Sequence, residues 1–307
     1  MLVYFTHCKR LPTFMIRAMP FAENLRQSTI LVTAATAALL FALPVRVSAQ
    51  TDYYNTDGGR PLQVEDAYAT ERYSFELHLA PLRLERTQGA VYNWAAEPKI
   101  EFGILPRTQI ELGLPVAYVD QPRLGRHVAG AAGLELSVLH NLNTETETLP
   151  AFAVVGDVLA PAGGLGPDRA YPSVKGIATR TYSWLRFHVN GQYTFSDRSR
   201  DSASTATSAS AGIVELSRWW AGVAVDKTFP LRSMLIGAET YARQPIVPGE
   251  PVQWNAGVGI RYQLAPQFAL DGGVGARLSG DNRSWYFTVG TAYAFGLRSL
   301  VSVPRAR

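Results

Sequence analysis

Residues Val252 to Leu278 read VQWNAGVGIRYQLAPQFALDGGVGARL, and this stretch decides the fold. Every even-numbered position in it holds an apolar, aromatic, glycine or proline residue, whereas the polar and charged residues all stand at odd-numbered positions. Successive side chains of a β-strand point to opposite faces of the sheet, so a period of two predicts strands rather than helices. The alternation continues across Pro266, which predicts two strands joined by a tight turn that keeps them in register. A soluble β-sandwich would show the same pattern, so the rest of the chain must decide what the apolar face contacts.

The same period of two recurs along most of the chain and predicts many more strands. The segments that show it are 73–79, 99–104, 109–116, 134–138, 152–158, 185–192, 219–225, 234–238 and 285–295. A direct count of the segments gives about eleven strands.

The connections between these segments alternate in length. The short connections are Pro106–Arg107, Thr228–Ser233 and Ala265–Gln267. The other connections are mostly longer and richer in Gly, Pro, Ser and charged residues, and they are 120–127, 160–173, 196–212, 244–251 and 279–283. Short turns at one end and longer loops at the other are typical of an outer-membrane β-barrel, and single-chain bacterial barrels have an even number of strands. We therefore predict a hidden turn at Tyr182–Trp184 and an all-β, antiparallel transmembrane β-barrel of about 12 strands.

The β-sandwich remains the alternative at this point, and two observations weigh against it. Aromatic residues stand near the predicted strand ends, as in the interfacial girdles of a barrel. Most strands also carry charges on the face opposite the apolar one, which a closed sandwich could place only on its outer side. The aromatic residues in question are Trp254, Tyr262, Phe268, Trp285 and Phe295.

The first 49 residues differ from the remainder and predict a secretory signal peptide. Arg26 precedes an apolar run from Thr29 to Leu43, and Val47, Ser48 and Ala49 fit a small-residue cleavage site before Gln50. A retained anchor helix is the alternative, but the run is shorter than the roughly 20 residues that a membrane span needs.

Removal of this leader changes the charge of the chain. The leader holds five basic residues and one acidic residue, so the mature chain keeps 29 − 5 = 24 basic and 25 − 1 = 24 acidic residues. A neutral mature chain gives no support for nucleic-acid binding, which needs a basic patch. The one cysteine, Cys8, also lies in the leader, which suits a chain that crosses an oxidising periplasm. We predict four regions: signal peptide 1–49, irregular N-terminal segment 50–70, barrel 71–296 and C-terminal extension 297–307.

Several stretches resemble a known family. The family is that of the outer-membrane proteins named for the meta-pathway of phenol degradation. Its C-terminal half is similar to HVNGQYTF (188–195), IRYQLAPQFALDGGVGARLSGD (260–281) and WYFTVGTAYAF (285–295) of this chain. Its N-terminal half is similar to IEFGILPRTQIELGLPVAYV (100–119) and LPAFAVVGDVLAPAGG (149–164). The resemblance implies an outer-membrane barrel connected with uptake of aromatic or other hydrophobic compounds. The chain departs from the usual ending of the family, because residues 296–307 follow Phe295, the expected terminal aromatic residue.

No catalytic or metal-binding motif is evident in the sequence, and we expect neither an enzyme nor a cofactor. The mature histidines, at positions 78, 127, 140 and 188, lack the short spacings of a metal site, and no G-x-S-x-G motif is present. The candidate functional residues are instead the charges that share the inward face of the predicted strands, because lumen residues tune selectivity in such barrels. These lumen-lining candidates are Glu76, Glu101, Glu111, Arg186, His188, Glu239, Arg243, Arg261, Asp271 and Arg277. Reflection about Pro266 places Arg261 opposite Asp271, which predicts a cross-strand ion pair.

Two functions fit this sequence. The first is a passive outer-membrane channel or transporter for small, hydrophobic or aromatic molecules, and a barrel between the eight-strand and sixteen-strand sizes should have a narrow pore. The second is a structural or interaction barrel whose lumen is plugged by the charge network and residues 50–70. The expected partners are outer-membrane lipid, small hydrophobic solutes and the outer-membrane assembly machinery. The sequence does not fix the oligomeric state.

Overall fold

The structure is a computed structural model that describes residues 55–87, 92–121, 126–196, 216–279 and 283–296. The predicted signal peptide and C-terminal extension lie outside these residues. Fifteen strands form the described fold, and no described helix has the length and apolar character needed to cross a membrane. The strands are β1 (Ser74–Thr87), β2 (Tyr92–Ala96), β3 (Lys99–Leu105), β4 (Thr108–Gly113), β5 (Val116–Gln121), β6 (Arg126–Ala131), β7 (Leu134–Asn141), β8 (Ala151–Ala160), β9 (Tyr171–Thr181), β10 (Arg186–Thr194), β11 (Ser217–Thr228), β12 (Met234–Pro245), β13 (Gln253–Ala265), β14 (Phe268–Arg277) and β15 (Ser284–Gly296).

The fifteen strands make a closed antiparallel barrel of twelve wall strands. β1 pairs with β15 from Ser74 opposite Gly296 to Thr87 opposite Ser284, which closes the sheet on itself. Three wall strands are each interrupted once, so that β2 with β3, β4 with β5, and β6 with β7 count as one each. Fifteen strands less three interruptions gives twelve, which confirms the predicted barrel and its strand number.

The interruptions lie side by side in neighbouring wall strands, and their sequence explains two of them. Pro98 and Pro115 stand in the first two gaps, where a proline cannot donate a ladder hydrogen bond. Their carbonyl groups still accept hydrogen bonds from the next wall strand, from Leu114 N at 3.0 Å and Ala132 N at 2.7 Å. The third gap contains Gly133, whose φ of 135° favours glycine. The three strands are therefore interrupted without loss of the wall's closure.

The predicted hidden turn is present. β9 ends at Thr181, β10 begins at Arg186, and Tyr182 N donates a hydrogen bond to Leu185 O at 2.9 Å across the turn. This turn lies at the same end of the barrel as the turns at 106–107, 142–150, 229–233 and 266–267, and we call this end the turn rim. β1 begins and β15 ends there. The opposite end, which we call the loop rim, holds the connections after β1, β5, β8, β10, β12 and β14.

The two faces of the wall have the expected opposite character. In the opening hairpin the even-numbered Trp254 and Val258 are more than half exposed, whereas the odd-numbered Arg261 is 1% exposed. The outer face thus carries the apolar band that meets lipid in barrels of this kind. Exposed aromatic side chains concentrate towards the two rims, as an interfacial girdle requires: Tyr92, Trp94, Tyr193, Phe195, Trp254 and Trp285 near the loop rim, and Tyr182, Trp184 and Phe229 near the turn rim.

Candidate functional site: the occupied lumen

The barrel interior is crossed by the described part of the predicted irregular segment, residues 55–70, which we call the N-terminal segment. Its apolar side chains Leu62, Val64 and Ala67 are at most 2% exposed, so they are enclosed by the wall. The segment contacts β14, β13 and β12 first, then β10 and β9, and finally β4 and β3 before it reaches β1. It therefore lies across the lumen rather than along the wall.

Side chains of the wall satisfy the backbone of the N-terminal segment. Gln63 N and Val64 N both donate to Glu239 Oε2, at 2.7 and 2.9 Å. Glu65 and Asn190 exchange two hydrogen bonds of 2.8 Å, as two residues of paired strands would. Further bonds of this kind join Ala67 N to Thr179 Oγ1, Asn141 Nδ2 to Ala67 O, and Thr70 N to Gln109 Oε1. Because buried backbone groups need partners, these inward polar residues fix where the segment lies.

A buried cluster of four charges holds the first part of the segment. Arg60 contacts Asp57 at 2.8 Å and Asp271 at 3.0 Å, and Arg261 contacts the same two carboxylates at 2.8 and 3.7 Å. Arg261 stands directly opposite Asp271 in the ladder, which confirms the predicted cross-strand pair. The segment contributes the other two members of the cluster, so the pair is half of a four-charge network.

Glycines in the wall make room for the segment. A side chain at Gly259 would place its Cβ 2.6 Å from Pro61 Cβ, and one at Gly273 would lie 2.8 Å from Pro61 O. Neither distance is possible between real atoms without a shift. Gly237 and Gly222 similarly face Leu62 and Val64. Gly259 and Gly273 of the opening hairpin therefore form, with Gly222 and Gly237, the surface on which residues 61–64 rest.

A second polar group lies where the segment passes β9 and β10. Asp226 contacts Arg186 at 2.8 Å and His188 at 2.9 Å, and the other imidazole nitrogen of His188 lies 3.0 Å from Thr179 Oγ1. A hydroxyl, an imidazole and a carboxylate in a row resemble a hydrolase triad. Here, however, Thr179 is 0% exposed and its hydroxyl already accepts a hydrogen bond from Ala67 N. In this arrangement the row supports the segment and offers no access to a substrate carbonyl.

Burial changes the acidity of the segment's own carboxyl groups. It raises the pKa of Asp66 to about 8, although Arg186 and the backbone N–H groups of Tyr68 and Thr56 oppose the change. It also raises the pKa of Glu65, against the opposing effect of Lys175. The pKa of Asp57 is lowered, because Arg261 and its other cationic neighbours together outweigh burial.

A cavity of about 150 Å³ lies on the loop-rim side of the segment, whose Gly58, Gly59, Gln63 and Glu65 form part of its lining. One side of the cavity is acidic, with two lysines among the carboxylates: Glu97, Lys99, Glu111, Glu135, Asp157 and Lys175. The other side combines arginine and aromatic residues: Arg83, Trp220, Tyr241 and Arg243. A smaller cavity of about 30 Å³ lies on the turn-rim side and is lined by Asn55, Asp57 and residues 68–70 of the same segment, together with Glu71. The segment thus separates two polar spaces of the lumen.

All ten lumen-lining candidates lie on the inner side of the wall, buried or partly buried. The structure brings some of them together: Arg261 with Asp271, Arg186 with His188 through Asp226, and Glu76 with Glu101 on either side of His78. Others have partners outside the set: Glu111 contacts Lys99 at 2.9 Å, Arg277 contacts Glu85 at 3.6 Å, Arg243 donates to Gln253 at 2.6 Å, and Glu239 holds the segment. Glu111 and Arg243 line the larger cavity.

The sequence did not identify the charged residues that the N-terminal segment contributes to the polar groups of the lumen, above all Asp57, Arg60 and Asp66. Their signal was present but weak, because a polar stretch without a period is also what an ordinary loop shows. It also missed the group Asp57, Glu76 and His78, whose ligand atoms lie within 4.8 Å of one another and which could hold a metal ion.

Comparisons with known proteins agree with this architecture. The profile of the family described as "Putative MetA-pathway of phenol degradation" matches residues 94–295. The COG4313 outer membrane channel from Pseudomonas putida F1 has a similar fold, with a TM-score of 0.53 and 12% sequence identity over 75% of this chain and 98% of that chain. The KdgM porin solved with disordered oligogalacturonate is similar at a TM-score of 0.45 and 13% identity, over 72% of this chain and 99% of that one. No curated protein matches the sequence.

Proposed function

The chain belongs to the family described as "Putative MetA-pathway of phenol degradation", and from that premise we propose that it is a passive outer-membrane channel for small molecules whose lumen is controlled by the N-terminal segment. The observation that carries the proposal is the closed twelve-strand wall around a polar cavity whose floor is the segment. Solute entering from the loop rim would reach this cavity first and could pass only if the segment moved.

The chemistry of the larger cavity favours small aromatic solutes that carry a polar group. A cavity of about 150 Å³ is of the size that holds one benzene ring. Trp220 and Tyr241 offer aromatic surface, and Arg243 and Glu111 offer hydrogen-bonding groups for a hydroxyl or carboxylate. This combination fits phenols and aromatic acids better than aliphatic hydrocarbons, which would leave the charged lining unpaired.

The contacts of the N-terminal segment suit a part that can move. Ionic contacts and hydrogen bonds to wall side chains define its position, but buried ion pairs give little net stability relative to apolar packing. Its fully enclosed apolar side chains are few, with Leu62 and Val64 the largest. A segment held in this way occupies one position without being fixed there by a large hydrophobic core.

The test is planar-bilayer conductance together with uptake into liposomes, measured on the mature chain and on a chain that lacks residues 50–69. We expect low conductance for the mature chain, higher conductance for the shortened chain, and faster uptake of phenol and benzoate than of arabinose in both. Arg60→Ala, which removes one of the two cations of the four-charge network, should raise conductance part of the way. Arg169→Ala is the matched control, because Arg169 lies in a loop outside the four-charge network, where it contacts Asp168 at 3.2 Å and stacks on Tyr171.

The alternative is a structural or interaction barrel with a permanently plugged lumen, and the occupied lumen is the observation that favours it. The same measurements separate the two functions. A shortened chain that conducts, beside a mature chain that shows neither conductance nor uptake under any condition, would support the structural barrel. No conductance from either chain, with both folded, would contradict the channel and the plug together.

The same proposal includes the location of the protein. We propose that it acts in the outer membrane with lipid around its apolar band, and that a signal peptide and the assembly machinery deliver it there. Membrane fractionation followed by N-terminal sequencing tests them. The expected first residue of the exported protein is Gln50, and recovery of the intact N-terminus from the inner membrane would contradict export by a cleaved leader.

A further inference from the structure

A histidine without a hydrogen-bond partner lies buried where the N-terminal segment meets β1. His78 is 0% exposed, with Nε2 3.2 Å from Glu76 Oε1 and Nδ1 3.4 Å from Glu101 Oε1. Within the described part of the chain, neither nitrogen has a partner in hydrogen-bonding geometry, and Glu101 Oε1 has none either. Buried polar groups are normally paired, so an imidazole directed at two carboxylates without bonding either one points to a missing partner.

Asp57 completes this group from the side of the N-terminal segment. Its ligand atom and those of Glu76 and His78 all lie within 4.8 Å of one another. Asp57 binds both Arg60 and Arg261 through Oδ2, which leaves Oδ1 for another contact. Two ligands of one zinc ion, each bound at about 2.1 Å, lie roughly 3.4 Å apart in a tetrahedral site. The three ligand atoms lie at most 4.8 Å apart, so shifts of less than about 1 Å by each side chain would bring the three groups to coordination distance.

The charge at this place favours a divalent cation. The ion-pair network that includes the group contains four carboxylates and two arginines, which gives 4 − 2 = 2 net negative charges when all four carboxylates are ionised and the imidazole is neutral. Such a deficit is costly in a buried site unless a counter-charge is present. The carboxylates are Asp57, Glu76, Glu101 and Asp271, and the arginines are Arg60 and Arg261. One divalent cation would balance the network.

We propose that Asp57, Glu76 and His78 form a binding site for one divalent transition-metal cation of the zinc type, which fastens the N-terminal segment to β1. One imidazole nitrogen and two carboxylate oxygens are ligands that zinc accepts, and a water molecule would complete the coordination. Neutral imidazole coordinates through one nitrogen, and Glu101 is placed to accept a hydrogen bond from the other, as the carboxylate partners of metal-bound histidines do. The metal would link a wall strand to a segment 19 residues earlier in the chain.

A protonated His78 is the competing explanation, because an imidazolium could also bridge Glu76 and Glu101. It would leave one net negative charge in the network and would require bonds that the present geometry does not make. The two explanations differ in what the site binds, which makes them separable. Metal binding at this site is also independent of whether the barrel conducts.

The experiment uses the folded mature chain without a polyhistidine tag, stripped with a chelator and dialysed against zinc chloride. We expect one zinc ion per chain. His78→Gln and Asp57→Asn should each lower the affinity at least tenfold, and His140→Gln should leave it unchanged. His140 is the matched control, because it is an exposed histidine at the turn rim that bonds Thr108 at 2.9 Å.

Hydrogen exchange of residues 55–70 supplies a second measurement. Zinc should slow exchange in the wild-type chain, and the chelator should restore it, whereas His78→Gln should show no response to either. Absence of bound zinc would overturn the proposal, as would full affinity in both site variants. Exchange that responds to His78→Gln but not to zinc would assign the role to a protonated histidine instead.

Discussion

Arginine placed at two neighbouring positions of β7 should have opposite effects, because the two side chains lie on opposite faces at nearly the same depth. Leu136 is 49% exposed on the outer face, and its ladder partners are the outward Leu112 and Val158. Arginine on the lipid face near the bilayer midplane costs about 2 to 4 kcal/mol. Leu136→Arg should therefore reduce the folding equilibrium constant by a factor of roughly 30 to 1,000, since about 1.4 kcal/mol corresponds to tenfold.

Ser137→Arg is the control within the same strand. Ser137 lines the larger cavity, and its two ladder partners are Glu111 and Asp157. A new arginine there would stand between two carboxylates in a polar space, so we expect a change of no more than about 1 kcal/mol. Urea unfolding in phospholipid vesicles, followed by tryptophan fluorescence, measures both variants. Equal destabilisation at 136 and 137, or greater destabilisation at 137, would refute the assignment of the two faces.

Two further predictions concern the N-terminal segment. The double variant Arg261→Asp/Asp271→Arg should not restore stability in the mature chain, because it places like charges beside Asp57 and Arg60. In the chain without residues 50–69, the double variant should be more stable than the single variants by about 0.2 to 1 kcal/mol. Thermal unfolding of all forms checks this, and equal recovery in both chains would contradict the four-charge network. Burial raises the pKa of Asp66 to about 8, so its contribution to holding the segment is complete below the unfolded pKa of about 3.9 and is lost as the pH rises through about 8. The protection factors of residues 55–70, which correct the exchange rates for base-catalysed intrinsic exchange, should fall over that rise, and Asp66→Asn should remove the fall; an unchanged profile of protection against pH in the variant would show that another group titrates.

The wall could be predicted from the sequence because its determinants are local. Alternation along one strand and the lengths of the connections identify the faces, and the even strand number located the turn at Tyr182–Trp184. The pairing of Arg261 with Asp271 also followed, since a tight turn relates the two positions by simple reflection. The breaks at Pro98 and Pro115 had a visible signal, but a proline can equally mark the end of a strand.

The interior could not be predicted in the same way because its contacts join distant parts of the chain. Arg60 reaches a carboxylate 211 positions away, and Glu65 N bonds Asn190 across 125 positions. Residues 55–70 show no periodic pattern of polar and apolar residues from which these contacts could be predicted. The parity of Glu239 or His188 shows only that each faces inward. Whether it lines a pore, supports the segment or completes an ion site depends on what occupies the lumen.

The polar character of the lumen fits the proposal that the segment is placed accurately and can still be displaced. Ordering a backbone residue costs about 1 to 2 kcal/mol in conformational entropy, whereas full burial of a side chain such as Leu62 or Val64 returns about 1.5 to 3 kcal/mol. With so few apolar side chains enclosed, the segment depends on its wall hydrogen bonds and ion pairs to remain in the lumen. Those contacts are directional, so they specify a single position, and several of them join ionisable groups, whose strength should depend on pH and on bound cations. An apolar plug would be held more tightly, yet it would lack any comparable means of release. Four of the charges that the sequence assigned to a pore lining, Arg186, Glu239, Arg261 and Asp271, therefore contact the N-terminal segment in this structure.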